Sequence, residues 1–367
     1  MEIEGIGIIG ANKQTAIFAH KLALKGFQVR IYDSFKDSLN LLMSRLKWSL
    51  ERQGKLEALS NVEAIQDYSK FKGADLIIET LNKTFEERYL YFSKILKEVD
   101  NNCIIAINSS IPIISSFEKI PFLPAERVVG INFSMVFPYS IIEIAKTQYT
   151  ELSLIERIAS FIDRLGSKYV IISDKPGGIL MRLNRIYINS AFTTLFRGKG
   201  FPNEIDSAIK ELTGSSYGPF EFVDILGIDY DYNSSLSIYE MLGKRELYPH
   251  ELELKLLQYG QLGKKSNLGI YIYEDGNIVG ENPILPNIIK YLGLKKVDNK
   301  EIFSDIMIPI LNEAKEIAKE IMVGEQDIEN VTKFNFGWSS GIFGMLKKYP
   351  DLFVVKEKSE FDNLDTF

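Results

Sequence analysis

Residues 10–15, Gly-Ala-Asn-Lys-Gln-Thr, have the position of a phosphate-binding turn. They follow an apolar run of strand character and precede an amphipathic helical stretch, whose N-terminus attracts anions. Such a turn normally carries three glycines, which allow a tight turn, close approach of a pyrophosphate and close packing of the helix. Only Gly10 is kept, and Asn12 and Thr15 stand at the other two positions. The residue types therefore predict an unusual dinucleotide-binding turn.

A second glycine pattern, Gly-Ile-Gly-Ile-Ile-Gly at residues 5–10, has the same spacing as the dinucleotide fingerprint. That fingerprint functions only where a strand gives way to a helix. Residues 5–10 lie inside the apolar run itself. We therefore assign this pattern to the first strand, and the phosphate-binding turn to the residues that begin at Gly10.

Two charged residues close to the turn suit a nucleotide. Lys13 places a positive charge at the start of the predicted helix, where it would compensate for the missing glycines. Asp33 ends the second predicted strand, where it would accept hydrogen bonds from a ribose and disfavour a 2′-phosphate, so that NAD is preferred over NADP. The same aspartate could instead cap the following helix. The sequence leaves both roles of Asp33 open.

Few side chains are available for proton transfer near neutral pH. His20 and His250 are the only histidines, and both are expected to be structural. Cys103 is the single cysteine, which excludes an intrachain disulfide and any metal site built from several cysteines. No metal site is predicted.

The composition is that of a globular protein that acts on small molecules. The chain has 367 residues, of which 46% are hydrophobic and 25% charged, enough for two or three domains. The net charge of −6 and the lack of a long basic block argue against binding to nucleic acid or anionic lipid. No apolar stretch reaches the roughly 18 residues that span a bilayer, and no targeting segment precedes the first strand. A cytoplasmic location is expected.

The elements that position the turn alternate between strands and helices. Residues 3–10, 15–25 and 27–32 predict a strand, a helix and a second strand. Further strands are predicted at 76–79, 103–107, 128–131 and 169–172, and helices around 39–52 and 85–99. This alternation predicts an α/β fold, a Rossmann-type doubly wound parallel sheet with right-handed crossovers.

A second, mostly helical part follows the break at residues 174–178, Asp-Lys-Pro-Gly-Gly. It contains an internal repeat at a shift of about 123 positions, which pairs Asn189 with Asn312, Ile205 with Ile328, Lys210 with Lys333, Gly214 with Gly337, and Phe220 with Phe343. We predict a dinucleotide-binding domain at 1–175 and two helical copies at 176–275 and 276–367. Duplicated helical packing without a site is the simpler interpretation of the repeat.

With these segments in order, the chain resembles the 3-hydroxyacyl-CoA dehydrogenase family over nearly its whole length. The resemblance rests on the first strand and turn through Asp33 and on residues 107–113, 130–144, 174–177, 218–221 and 263–273. Such enzymes transfer hydride between NAD and the 3-hydroxyl carbon of an acyl-CoA in fatty-acid metabolism. A histidine takes the hydroxyl proton, and a glutamate orients that histidine.

The resemblance also identifies departures from the family's site. It places Asn132 at the histidine position and Glu143 at the partner glutamate. Asn132 cannot be a general base, because a carboxamide forms hydrogen bonds but does not exchange a proton near neutral pH. Met181 replaces an asparagine that contacts the substrate oxygen, and it has no N–H donor. Ser109 agrees with the family's serine near nicotinamide and substrate, or is a structural turn residue.

Three further positions concern the cofactor and CoA. Lys83 stands where the family has a cofactor-contacting glutamate, and Arg88 is a further candidate cofactor contact. A basic helical stretch from Arg45 to Lys55 falls in the region that contacts CoA in the family. A solvated helix face is the alternative interpretation of this stretch.

The resemblance finally bears on partners and on activity. The helical copies look like the tandem C-terminal domains of longer members, which are often fused to an enoyl-CoA hydratase, so a separate hydratase is an expected partner. A tandem satisfies internally the interface that single-copy members use for a homodimer, which favours a monomer and leaves a homodimer as the alternative. Two functions stay open: an NAD-linked oxidoreductase on 3-hydroxyacyl-CoA, or a catalytically silent protein that binds acyl-CoA or nucleotide as a partner subunit.

Overall fold

The computed structural model describes residues 2–81, 83, 85–108, 114–120, 122–133, 141–285, 293, 295 and 297–354. The chain divides into two compact units between Gly178 and Ile179. The predicted border after residue 175 lies close to this division. Among the described residues, no helix has the length and apolar character that a membrane crossing requires.

An eight-stranded sheet forms the centre of the first unit, in the order β3-β2-β1-β4-β5-β6-β7-β8. The strands β1 to β6 run parallel, whereas β7 is antiparallel to β6 and β8 is parallel to β7. Their bounds are β1 Gly5–Ile9, β2 Gln28–Tyr32, β3 Val62–Ile65, β4 Leu76–Glu79, β5 Ile104–Ile107, β6 Val128–Phe133, β7 Ile141–Lys146 and β8 Lys168–Ser173. The Rossmann-type fold is confirmed, and β3 and β7 are added to the predicted strands.

Four helices pack on this sheet: α1 Lys13–Leu24, α2 Lys36–Arg52, α3 Phe85–Ile95 and α4 Leu152–Arg164. The first helix begins before the predicted residue 15 because the Asn12 side chain caps it. In α4 the buried residues follow helical spacing and face the core: Leu154, Ile155, Ile158, Phe161 and Ile162. The core itself combines these faces with the near-continuous apolar strands that a sheet covered on both sides requires.

The second unit is mostly helical. The helices among its described residues are α5 Leu180–Phe196, α6 Pro202–Thr213, α7 Pro219–Leu226, α8 Ile228–Leu242, α9 Glu251–Gln258, α10 Asn299–Ile321, α11 Glu325–Phe336 and α12 Ile342–Lys348. A hairpin of β9 Tyr271–Glu274 and β10 Asn277–Glu281 lies between α9 and α10. The predicted division into copies 176–275 and 276–367 stays a prediction, and its border falls in the turn of this hairpin.

The internal repeat is confirmed by matching helices and matching contacts. The helices α11 and α12 begin 123 positions after α6 and α7. In the first copy, Asp206 accepts hydrogen bonds from the backbone N–H groups of Phe220 and Glu221, at the start of α7. In the second copy, Glu329 accepts from Gly341 and Phe343, at the start of α12. Each copy thus anchors its third helix with a carboxylate from its second.

Candidate active site

A cleft of about 150 Å³ lies at the carboxyl ends of the strands in the first unit. Its position follows from the topology, because β1 lies between β2 and β4 and the chain leaves the sheet in opposite directions there. This is the switch point at which doubly wound sheets bind their ligands. The lining residues are Gly10, Ala11, Asn12, Asp33, Phe35, Leu81, Lys83 and Tyr91.

Gly10 is required by both its backbone and its surroundings. Its φ of +106° lies in a region that side chains disfavour. A Cβ at this position would approach the Thr80 Oγ1 atom to 2.8 Å. The other glycine pattern, at residues 5–10, lies in β1, where a Cβ on Gly7 would meet the Ile77 and Phe71 side chains. The turn that begins at Gly10 therefore stands between β1 and α1, which is where the dinucleotide fingerprint functions.

Asn12 caps the first helix. Its Oδ1 accepts the Thr15 N–H at 3.0 Å, and its Nδ2 donates to the Thr80 carbonyl at 2.7 Å. The carboxamide is thereby held against α1 and the end of β4, while Asn12 still lines the cleft. Thr15 is fully buried, and its hydroxyl donates to the Gly10 carbonyl at 2.6 Å. Lys13 is exposed at the first position of α1.

Asp33 ties the two turns that border the cleft. Its Oδ2 accepts the Ala11 N–H at 2.8 Å, and its Oδ1 accepts the Phe35 N–H at 2.9 Å. Each carboxylate oxygen has a second lone pair, so the group retains capacity for ribose hydroxyls. The structural role and the ribose role of Asp33 are thus compatible. Together with Gly10 and the start of α1, these acceptors fit a dinucleotide.

Lys83 and Tyr91 border the outer side of the cleft. The Lys83 ammonium donates to Glu87 at 2.9 Å, and this hydrogen bond raises the pKa of Lys83. The lysine therefore keeps a positive charge at a position where the family resemblance leads one to expect a glutamate.

Arg88 lies inside the domain, which corrects its assignment as a direct cofactor contact. The side chain is 2% exposed and pairs with the fully buried Glu79, at 2.7 Å between Nη2 and Oε2. The guanidinium also lies over the Phe117 ring. The Glu79 Oε1 atom in turn accepts the N–H of Leu81, which lines the cleft. Arg88 thus acts on the cleft indirectly, because it holds Glu79, and Glu79 holds the backbone of the cleft residue Leu81.

Asn132 and Glu143 face each other across the antiparallel pair of β6 and β7. The Asn132 Nδ2 atom donates to the Glu143 Oε2 atom at 3.4 Å. Asn132 is 8% exposed and Glu143 is fully buried. The structure thus brings together the two residues that the family resemblance paired. Because the carboxylate only accepts hydrogen bonds, the contact also fixes which end of the carboxamide faces it.

Two residues of the Asp-Lys-Pro-Gly-Gly segment have structural roles in the first unit that sequence reasoning did not assign to them. A Cβ on Gly178 would lie 2.6 Å from Glu143 Oε2, so this glycine leaves room for the carboxylate. Asp174 accepts the N–H groups of Ile114 and Ser115, at 2.9 and 2.7 Å. It therefore holds the segment that follows β5. The break in the strand-helix pattern at 174–178 was the available signal.

The other candidates are placed as follows. Ser109 lies outside the described residues. Met181 is half-buried in the first turn of α5, in the second unit. His250 caps α9 by accepting the Leu252 N–H, stacks on Phe192, and has its pKa lowered by burial. His20 lies within α1, and burial lowers its pKa as well. Among the described residues, no group of three or more metal-ligating side chains could hold a metal ion.

We expect Asp174→Asn to destabilise the first unit. An asparagine keeps one acceptor oxygen and loses the charge, so one of the backbone donors of Ile114 and Ser115 is left poorly paired at a cost of about 1 to 3 kcal/mol. Urea unfolding of the full chain measures this loss. The matched variant Asp163→Asn changes an exposed aspartate and should alter the free energy of unfolding by less than about 0.5 kcal/mol. Equal effects of the two variants would remove the anchoring role of Asp174.

The fold and the cleft define a class of protein. Rossmann-type dinucleotide-binding proteins share three features with this unit. These are a mostly parallel sheet with a cleft at its switch point, a glycine of positive φ after β1, and an aspartate after β2. The comparisons with known proteins agree with this class and refine it.

Two models of one family match consecutive parts of the chain. The model described as "3-hydroxyacyl-CoA dehydrogenase, NAD binding domain" matches residues 5–175, and "3-hydroxyacyl-CoA dehydrogenase, C-terminal domain" matches residues 177–273. The chain belongs to the 3-hydroxyacyl-CoA dehydrogenase family. NAD is therefore the dinucleotide of its first domain.

Individual relatives are about a quarter identical to this chain over the residues that align. A 3-hydroxybutyryl-CoA dehydrogenase of Bradyrhizobium diazoefficiens is 29% identical over 281 residues, 74% of this chain and 96% of that protein. A fatty acid oxidation complex subunit alpha of Vibrio parahaemolyticus is 25% identical over 98% of this chain and 52% of its own length. The crystal structure of 3-hydroxybutyryl-CoA dehydrogenase from Escherichia coli K12 has the same fold, with a TM-score of 0.79 at 19% identity, over 95% of this chain and 92% of that one.

Proposed function

We propose that this protein is an NAD-linked oxidoreductase of the 3-hydroxyacyl-CoA type, in which an amide takes the place of the proton-transferring imidazole. The observation that carries the proposal is the 3.4 Å contact between Asn132 and the buried Glu143. In a family that pairs a histidine with a glutamate, this contact supports a glutamate that is still in place beside a residue that does not titrate.

The Asn132 carboxamide would act as a hydrogen-bond donor to the substrate oxygen. Its Nδ2 atom carries two N–H groups, one directed at Glu143 and the other available for a ligand. When bound, NADH would supply the hydride, or NAD⁺ would accept it, at the carbon that bears this oxygen. An amide cannot take the hydroxyl proton, so solvent must exchange it. Loss of a general base lowers the rate by a factor of about 10² to 10⁴, and we expect turnover to be slow.

The alternative is a catalytically silent protein that binds acyl-CoA or nucleotide. It is favoured by Asn132, which does not titrate, and by Met181, which offers no N–H donor for a substrate oxygen. In this alternative the Asn132–Glu143 pair is a structural remnant that keeps two opposing strands together. The decisive difference between the two candidates is hydride transfer, which only the oxidoreductase carries out.

Reduction of acetoacetyl-CoA by NADH distinguishes the two candidates. A rate about 10² to 10⁴ times below that of an active family member, dependent on both substrates, supports the oxidoreductase. Binding of NADH and acyl-CoA without any conversion supports the silent protein. The control is Asn132→Ala, which removes the proposed donor and should abolish the residual rate while leaving NADH affinity unchanged.

We further propose that the protein is a monomer. Within the second unit, Arg182 of α5 is buried and pairs with Glu313 and Glu320 of α10. Asn184 of α5 accepts a hydrogen bond from Asn335 of α11 at 2.6 Å. The two helical copies thus bury polar contacts against each other within one chain. Light scattering should give the mass of a single chain, 41.8 kDa. A tight dimer at micromolar concentration would contradict this proposal.

The remaining proposals concern partners and location. The Vibrio relative is named as a subunit of a fatty acid oxidation complex, and this supports a separate enoyl-CoA hydratase as the partner of this chain. Acyl-CoA is the small-molecule ligand that the family supports. A cytoplasmic location is proposed because the single cysteine, Cys103, excludes an intrachain disulfide, and a chain without disulfides suits a reducing compartment.

A further inference from the structure

Three polar side chains form a connected cluster beneath the phosphate-binding turn. The Thr15 and Thr80 hydroxyl oxygens lie 2.8 Å apart, and the Asn12 Nδ2 atom lies 3.2 Å from the Thr80 hydroxyl. Thr15 is fully buried and Thr80 is 4% exposed. Two of these residues, Asn12 and Thr15, stand where the dinucleotide fingerprint has glycines. The departures from the fingerprint are therefore in contact with each other.

The cluster satisfies backbone carbonyls at the end of β1 and just beyond the ends of β1 and β4. The Thr15 hydroxyl donates to the Gly10 carbonyl at 2.6 Å, and the Asn12 amide donates to the Thr80 carbonyl at 2.7 Å. The Thr80 hydroxyl lies 2.9 Å from the Ile9 carbonyl. Buried carbonyls need such partners. The side chains of α1 thus join the ends of β1 and β4, the two strands that flank the switch point.

The cluster also fixes the start of α1. Asn12 Oδ1 accepts the Thr15 N–H, which fixes the first turn of the helix from the N-cap position. The same contact turns the carboxamide toward β4. Gly10 is confined from the other side, because any side chain there would meet the Thr80 hydroxyl. The backbone from Gly10 to Asn12 is thereby held in one conformation at the wall of the cleft.

We propose that Asn12, Thr15 and Thr80 act as one positioning network, which replaces two fingerprint glycines in shaping the turn for the pyrophosphate of NAD. The proposal rests on the dinucleotide binding proposed above. The fingerprint pattern alone would predict that glycines at positions 12 and 15 improve NAD binding, whereas the network predicts the opposite. Because the network works as a unit, restoring the glycines removes its hydrogen bonds and weakens dinucleotide binding.

The test measures NADH affinity by fluorescence titration, with the thermal midpoint recorded for each variant of the full chain. Thr80→Val keeps the shape of the side chain and removes its hydroxyl, and we expect NADH to bind about tenfold more weakly. Thr80→Ser keeps the hydroxyl and should stay within about threefold of the parent protein. The double variant Asn12→Gly/Thr15→Gly restores the fingerprint and should bind NADH at least about tenfold more weakly.

A matched control separates positioning from stability. Thr194→Val, in the second unit, also removes a buried threonine hydroxyl, which donates to the Ser190 carbonyl at 2.8 Å. It should lower the thermal midpoint and leave the NADH dissociation constant unchanged. A purely structural role for Thr80 would make Thr80→Val behave like this control.

The outcomes decide between the network and the proposed function. If the parent protein binds NADH and the glycine-restored variant binds as tightly or more tightly, the network is wrong and the proposed function stands. Unchanged affinity in Thr80→Val has the same meaning. If the folded parent protein binds no NADH, both proposals fail together. Should the double variant not fold, the comparison of Thr80→Val with Thr80→Ser decides alone.

Discussion

Asn132→His is expected to raise the rate of acetoacetyl-CoA reduction by about two orders of magnitude or more. The position already has what an imidazole needs, since the Glu143 carboxylate lies 3.4 Å from the Asn132 amide nitrogen and is fully buried. General acid-base catalysis contributes a factor of about 10² to 10⁴. An imidazole near its ordinary pKa of about 6.5 should also introduce an ionisation into the pH–rate profile that the parent protein lacks. Steady-state rates between pH 5 and 9 measure both effects.

The dependence on Glu143 provides the control. In the double variant Asn132→His/Glu143→Gln, the imidazole loses the carboxylate that orients it and stabilises its charged form. Most of the gain should disappear, while NADH affinity stays the same. The outcome to watch for is an Asn132→His protein that binds NADH and acyl-CoA but shows neither a higher rate nor a new ionisation. It would mean that the site lacks more than a proton-transferring group. The silent alternative would then be favoured.

Arg88→Met is expected to be the most destabilising single change near the cleft. Arg88 and Glu79 are both buried and paired, and removal of one partner leaves an uncompensated buried charge at a cost of about 3 to 5 kcal/mol. Burial already raises the pKa of Glu79, and Arg88 opposes that shift. Without Arg88, the buried Glu79 carboxyl keeps its proton in the folded state. In the unfolded state the same carboxyl releases its proton once the pH exceeds the ordinary pKa of a glutamate. The variant's stability should therefore fall further as the pH rises from 5 to 8.

Urea unfolding at these two pH values tests this expectation, and a second substitution controls it. Glu79→Gln on the Arg88→Met background removes the unpaired charge, keeps an oxygen for the Leu81 N–H, and should restore part of the stability and abolish the added pH dependence. Lys70→Met breaks an ion pair with Glu63 in which both side chains are more than half exposed, and it should have little effect. A pH-independent loss in Arg88→Met would show that Glu79 is not the group responsible.

The first strand, the turn and α1 were predictable because their signals are local. The first twelve residues contain all of them: an apolar run, a glycine that needs positive φ, and an asparagine at the N-cap of α1. Two strands of the large sheet were missed for different reasons. Glu63 and Ala64 of β3 are exposed, so this edge strand lacks an apolar run. In β7 the buried Glu143 interrupts the apolar pattern, and only its partner across the sheet explains it.

The contacts that complete the site join residues far apart in the chain. Arg88 reads as a surface cation on a helix, and only the fold places it against Glu79 beneath the cleft. Asp174 reads as part of a turn, and its hydrogen bonds to Ile114 and Ser115 depend on the sheet bringing the two segments together. The polar residues at the glycine positions predicted only an unusual turn. Their shared contacts with Thr80 are what sequence reasoning lacked.

The central claim is that a working NAD cleft has been kept while the proton-transferring imidazole has been replaced by an amide. Calorimetric titration of the parent protein with NADH, with and without acetoacetyl-CoA, tests it most directly. We expect saturable binding of one NADH per chain, weaker binding of NADPH because of Asp33, and a ternary complex that converts slowly. Absence of NADH binding to the folded protein, or equal binding of NADPH, would contradict it.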